Sequence, residues 1–276
     1  MQRAAGREVV TWAPGRVNLI GEHTDYSGGL VLPIAVQYGI RLAARVDLDV
    51  ITLTSVGYED AAPIACDGGS PAVSGWARYV QAVAAELADA GRPAVGIAGT
   101  VSSDLPAGSG LSSSAALEVA VALGLCAVAG FELEPMELAL LCQRAELRAV
   151  GVPCGILDQA ACLLGRDGRA ILLDCGTLEH RPVRVPPEAA LLVIDSGMAR
   201  SLENTAYGER RAELEHALAL AGAVHSTELD LSAPDRLDGV AARRLRHVVT
   251  ENERVRRFAA ALEHDDLPAA GMLLSA

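Results

Sequence analysis

Turn signals cut the first third of this 276-residue chain into short β-branched runs, and nearly everything beyond residue 202 reads as helix. Strands are expected at residues 9–13, 30–36, 40–46 and 50–55, and later at 95–101, 169–174 and 190–195. The first of them is taken to end at Pro14-Gly15. Apolar residues at helical spacing predict helices at 76–87, 111–129, 135–150 and 155–164, with Pro135 in a first turn and Gly130 closing the helix before it. Strands that come first and helices that follow, with few strict βαβ alternations, favour an α+β fold. The prolines at 182 and 187 suggest a boundary, giving domains at 1–185 and 186–276.

Just over half of the residues are apolar but only 3% are aromatic, so the core must be built of Ala, Val and Leu. The net charge of −12 argues against a nucleic-acid backbone or an anionic membrane as partner. All 23 basic residues are arginine, which rules out a lysine-dependent phosphate loop and any Schiff-base mechanism. The six cysteines form no C-x-x-C pair. The N-terminus has no apolar signal core, and the longest apolar run, 119–130, is too short to span a bilayer. These features predict a cytoplasmic protein with reduced thiols.

Three stretches carry chemistry. Residues 105–116 read L-P-A-G-S-G-L-S-S-S-A-A, a glycine loop opening directly into an apolar helix. Gly108 and Gly110 let backbone approach a ligand closely. The N–H groups at the helix start favour an anion, and Ser112, Ser113 and Ser114 add hydroxyls there. An ordinary serine-capped helix would read similarly, although one serine suffices for a cap. Residues 151–159 read G-V-P-C-G-I-L-D-Q. Asp158 interrupts an apolar segment there, where a carboxylate is costly unless paired or working, or placed to meet the helix dipole. Glu146, twelve residues earlier, could share its surroundings, or could be a solvated charge beside Arg144 and Arg148. Residues 15–29 read G-R-V-N-L-I-G-E-H-T-D-Y-S-G-G. Glu22, His23 and Asp25 supply what a sugar site needs, and Arg16 could stabilise a transferring phosphoryl group, although a polar hairpin loop would also fit. Trp76 and Tyr79 read as core. The arginines at 243–257, interleaved with Glu251 and Glu253, read as a solvated helix face.

Together the three stretches resemble the GHMP sugar kinases and, within them, the galactokinases. That resemblance implies a two-domain α+β fold: an N-terminal domain like ribosomal protein S5 and a ferredoxin-like C-terminal domain, with the active site between them. It implies ATP-dependent phosphorylation of galactose at the anomeric C1 hydroxyl, with ATP and Mg²⁺ as cofactors. Asp158 would be the base and Arg16 the stabiliser of phosphoryl charge. Glu22, His23, Asp25, Gly155 and Tyr207 would bind the sugar. Gly108, Ser109, Gly110, Ser112 and Ser114 would hold phosphates, Trp76 and Tyr79 would lie near the adenine, and Ser113 and Glu146 would hold Mg²⁺. The protein is expected to act on a small sugar as a monomer. A non-catalytic sugar-binding regulator, an N-acetylgalactosamine kinase and an arabinokinase are the alternatives.

The chain departs from the family pattern at Leu147, where His is usual, and at Leu157, where Met is usual. It also has no adjacent glycines after Gly176, where the family carries a third glycine-rich motif. It therefore resembles a chain cut short in its second domain, with exposed apolar surface in its C-terminal half and reduced or absent activity expected.

Overall fold

The computed structural model describes residues 7–47, 49–69, 71–106, 108–194 and 205–276. In chain order the elements are β1 (Glu8–Asn18), β2 (Leu30–Val31), β3 (Pro33–Asp47), β4 (Val50–Ser55), β5 (Ile64–Ala65), α1 (Ala77–Asp89), β6 (Gly96–Ser103), α2 (Ser113–Ala129), α3 (Pro135–Val150), α4 (Leu157–Leu164), β7 (Arg169–Asp174), β8 (His180–Arg184), α5 (Thr205–Ala221), α6 (Gly239–Glu263) and α7 (Leu267–Leu274). The α+β class expected from the sequence is borne out: these elements mix helices with strands that pair mostly antiparallel. They fall into two compact units that interleave along the chain.

The first unit gathers the chain up to Gly15 with 36–154 and 158–164. Here β6 runs antiparallel to β3, from Ile40 opposite Ser103 to Asp47 opposite Gly96, and parallel to β4. β5 pairs with β4. Alternation puts Ile40, Leu42 and Ala44 of β3, and Ile51 and Leu53 of β4, on the buried side. α1, α2 and α3 pack on one another, and α2 lies on β6. A helix with no polar face has to be buried, and α2 is, from Ala115 to Ala122 without interruption. α3 begins where Pro135 predicts, with Glu134 and Glu137 forming a reciprocal capping box.

The second unit gathers 16–35, 155–157 and 165 onward. β7 pairs antiparallel with β2 (Leu30 opposite Asp174) and with β8 (Ala170 opposite Val183). α6 packs on both β2 and β8, while α5 and α7 pack on α6. One core joins Ile20, Leu32, Val255, Phe258 and Leu262. Another joins Leu214, Leu218, Leu245 and Val249.

Several boundaries differ from the sequence reading. β1 runs straight through Pro14-Gly15, since a proline is tolerated in a strand wherever its missing N–H leaves no ladder bond unmade. The runs at 30–36 and 40–46 become the short β2 and one long β3 that continues through Gly39. β8 crosses Pro182, in the region read as a domain boundary, and is bonded to β7 within the second unit. Residues 190–194 form no strand, because β-branched composition without a ladder partner leaves backbone groups to solvent. Asp195 lies outside the described residues. Leu192, Ile194 and Met272 are 82%, 78% and 70% exposed, so the C-terminal half does present apolar surface.

Candidate functional site

In the first unit, chemistry collects at the start of α2. Gly108 and Gly110 adopt φ of 71° and 73°, and a Cβ at Gly108 would meet nothing within 4 Å. Ser112 is also left-handed, at φ 59°, a conformation that costs a non-glycine residue about 1–3 kcal/mol. It makes no side-chain cap to the helix. Its hydroxyl instead donates to Asp158 Oδ2 at 2.5 Å. The plain serine-cap reading is therefore set aside. The Ser112 side chain does not claim the first N–H groups of α2, and the strained serine is tied to the carboxylate in the first turn of α4.

Behind this loop lies a buried polar group in an otherwise apolar layer. Ser114 Oγ donates to Glu146 Oε1 at 2.9 Å. Gln159 Nε2 donates to Glu146 Oε2 at 2.7 Å and to Glu118 Oε2 at 3.1 Å. The Cys154 thiol donates to Glu146 Oε2 at 3.2 Å. Glu146 is 6% exposed, which overturns its reading as a solvated helix charge. Arg144 and Arg148 turn instead to Glu86, and Arg148 also to Asp89, at 2.9–3.2 Å. Burial first, and the Glu146 carboxylate second, push the Glu118 carboxyl well above the usual carboxylate range. The same two causes push the Tyr79 hydroxyl up to about 12. Among the described residues no group of three or more His, Cys, Asp or Glu is arranged to hold a metal.

In the second unit, the stretch after β1 folds into a turn and a single 3-10 turn (Asp25–Ser27). Thr24 is fully buried, its hydroxyl 2.8 Å from Gly21 O and 2.7 Å from Leu30 O, so one proton draws the two ends of the loop together. Asn18 Nδ2 donates to Glu22 Oε1 at 2.9 Å. Gly155 lies against Asp25: a Cβ there would come within 2.7 Å of Asp25 Cβ and closer still to its carboxylate. His23 sits at φ 65° with Tyr26 Oη 2.9 Å from Nδ1 and Arg210 3.4 Å from Nε2. An arginine can only donate, so Nε2 accepts and the neutral tautomer carries its proton on Nδ1. His23 and Tyr26 line a cavity of about 230 Å³ together with Arg210, Arg244 and His247. The Tyr207 ring stands edge-on to Tyr26 at 5.3 Å and 6.2 Å from His23.

Burial, and then Arg210, lower the pKa of His23 below 6.5, with Arg244 and His247 adding to the effect and Glu22 opposing it. A depressed histidine pKa means that the unfolded chain takes up the proton first as the pH falls. His23 therefore leaves stability intact above pH 6.5 and withdraws it as the pH drops below that value. Denaturant midpoints should fall on acidification, and by less in His23→Asn, because asparagine tolerates the left-handed backbone. An equal fall in both proteins would contradict the assignment.

The GHMP kinases N terminal domain family matches residues 78–166, and the galactokinase galactose-binding signature matches residues 2–46. A galactokinase from Roseiflexus sp. is 39% identical over 277 residues, covering 97% of this chain and 71% of that protein. One from Mycobacterium tuberculosis is 42% identical over 272 residues, covering 96% and 75%. This chain belongs to the galactokinase family. The crystal structure of Lactococcus lactis galactokinase complexed with galactose shares its fold, with a TM-score of 0.86 at 30% identity, covering 97% of this chain and 73% of that one.

Against that family, the first unit brings together Asp158, Ser112, Ser114 and Glu146, and the second brings together Glu22, His23, Asp25, Gly155 and Tyr207. Ser113 is exposed at the first position of α2, and the hydroxyl bonded to Glu146 belongs to its neighbour Ser114. Ser109 turns its hydroxyl to Pro106 O at 2.7 Å. Trp76 precedes α1 and donates to Glu59 O at 3.0 Å, so it is not core in the sense first read. Arg16 is half-buried on β1. The sequence reading did not recognise Glu118, Gln159, Glu251 and Asn252 as buried polar residues. A lone acid within an all-apolar helix was the available signal for Glu118. Glu251 was taken for solvated because arginines surround it.

Proposed function

We infer that this galactokinase-family chain transfers the γ-phosphoryl group of ATP to the C1 hydroxyl of galactose. About 40% identity to galactokinases over nearly its whole length carries that reading. The start of α2 fits a polyphosphate: an open glycine loop, backbone donors not claimed by the Ser112 side chain, and serine hydroxyls alongside. In our reading Gly108, Ser109, Gly110, Ser112 and Ser114 hold phosphates, with Trp76 and Tyr79 towards the adenine. Ser113 and Glu146 would hold Mg²⁺, with the Glu146 carboxylate oriented by three donors. Bound Mg²⁺·ATP supplies the phosphoryl group and offsets part of its negative charge.

The chain's own residues do the rest. Asp158 accepts the proton of the C1 hydroxyl, with its carboxylate aimed by the Ser112 hydroxyl. Arg16, which cannot deprotonate, stabilises charge on the transferring group. Glu22 and Asp25 accept from sugar hydroxyls, His23 adds an imidazole, Gly155 gives Asp25 room, and Tyr207 adds an aromatic hydroxyl. Readers that the sugar covers discriminate strongly, since a missing hydroxyl leaves them unpaired. Six free thiols support a reducing, cytoplasmic setting, and no described helix is long and apolar enough to cross a membrane. The test is ADP release by the purified chain. Release that depends on galactose and is far weaker with glucose supports the reading. Galactose and ATP binding with no release would leave the sugar-binding regulator.

A further inference from the structure

The sugar-reading loop is held from a distance. His247 and Glu251 are four residues apart, hence on one face of α6, and Asn252 follows Glu251 directly on the same helix. Glu251 is 6% exposed and Asn252 is 2% exposed. Glu251 Oε1 accepts from the backbone N–H of Gly21 at 2.8 Å and of Glu22 at 3.2 Å. Its other oxygen, Oε2, accepts from Arg254 Nε at 2.8 Å and Nη2 at 2.5 Å, so the buried carboxylate keeps a counter-charge. Asn252 Oδ1 accepts from Leu30 N at 2.8 Å, and its amide donates to Ser226 Oγ at 3.0 Å. Ser226 in turn lies 3.1 Å from Ser27 Oγ. His247 Nε2 lies 2.8 Å from Glu22 O. A Cβ on Gly29 would collide with Thr24, Asn252 and Ser226 together, which shows how closely the loop is seated.

We infer that Glu251 and Asn252 are positioning residues for sugar recognition: they grip the two ends of the 21–30 loop and set the bearing of Glu22, His23 and Asp25 towards the sugar. This rests on the reading of that loop as the galactose reader. Buried N–H groups at 21 and 30 must find acceptors, and the partly buried N–H of Glu22 shares the acceptor of the first. A charged acceptor is about twice as strong as a neutral one, so the carboxylate falls to Gly21 and Glu22, next to the residues that touch the substrate. Thr24 ties the loop's ends to each other but to nothing else. The α6 clamp ties them to the core of the unit, so the direction of the side chains is fixed and not only the loop's closure.

The test uses the full chain with Glu251→Gln, Glu251→Leu and Asn252→Leu. Two quantities are read at a temperature where each variant is folded: galactose affinity by calorimetry without nucleotide, and amide exchange at Gly21, Glu22 and Leu30 without sugar. Both leucine variants should weaken galactose binding by about tenfold or more while nucleotide affinity stays within about twofold. Glu251→Gln keeps an oxygen acceptor and should bind galactose within about threefold of the parent. Exchange should quicken at Gly21 and Glu22 in Glu251→Leu, and at Leu30 in Asn252→Leu. Parental galactose affinity in a folded Glu251→Leu would overturn the inference, as would equal losses of both ligands. Should Glu251→Leu not fold, Asn252→Leu carries the same decision. If the parent itself bound no galactose, the sugar reading would fail, and exchange at the three amides would still decide whether the clamp exists.

Discussion

Asp158→Asn should lower galactose-dependent ADP release by at least about 100-fold, the scale of a lost general base. The amide is nearly the shape of the carboxylate, and its oxygen can still accept from Ser112. What it lacks is the capacity to take the C1 proton. Galactose and nucleotide affinities should stay within about twofold of the parent, so that the loss falls on kcat and not on binding. Unfolding midpoints should barely move, because Asp158 is half-buried at the start of α4 and the Ser112 contact is retained. If Asp158→Asn kept more than about a tenth of the parental rate, less than the smallest loss expected of a base, that role would belong to another group.

Gly155→Ala should act on the sugar side alone. Gly155 and Asp25 belong to the same unit, and the new methyl group would occupy the space of the Asp25 carboxylate. The obstacle is steric, since Gly155 is not among the glycines with left-handed backbone. Rotating the Asp25 carboxylate aside still leaves its Cβ at 2.7 Å from the new methyl group, so the turn that Asp25 begins must shift as well. Galactose KM should rise by about tenfold or more, with nucleotide KM unchanged, because a displaced reader leaves a hydroxyl unpaired. A variant that lost affinity for both substrates equally would point to general unfolding. One with unchanged galactose KM would remove Asp25 from the sugar-binding set.

Local signals made α3, β4 and β7 legible to the residue, because Pro135, the turn after Asp47 and the glycine at 168 punctuate them clearly. The failures have physical reasons. Pro14-Gly15 reads as a stop, yet a strand can carry both where the proline needs no ladder bond. The two-residue β5 and the proline-bearing β8 have no pattern of their own and exist only because β4 and β7 supply partners. Residues 190–194 have the pattern and lack the partner. The chemistry followed the same division. The carboxylates, imidazole and glycine-serine loop could be read because they cluster in sequence. The α6 clamp could not: Gly21 and Glu251 are 230 residues apart, and only the fold makes Glu251 the buried acceptor for that N–H. Glu146 shows the same limit, since neighbouring arginines disguised a side chain that three donors hold inside the unit.

The central claim is that phosphate goes to the anomeric oxygen of galactose. Phosphorus NMR of the product made by the purified chain from galactose and Mg²⁺·ATP tests it directly. The account predicts a sugar phosphate whose phosphorus couples to the anomeric proton, formed in step with ADP. Coupling to the C6 methylene protons, or ADP formed without any sugar phosphate, would contradict it.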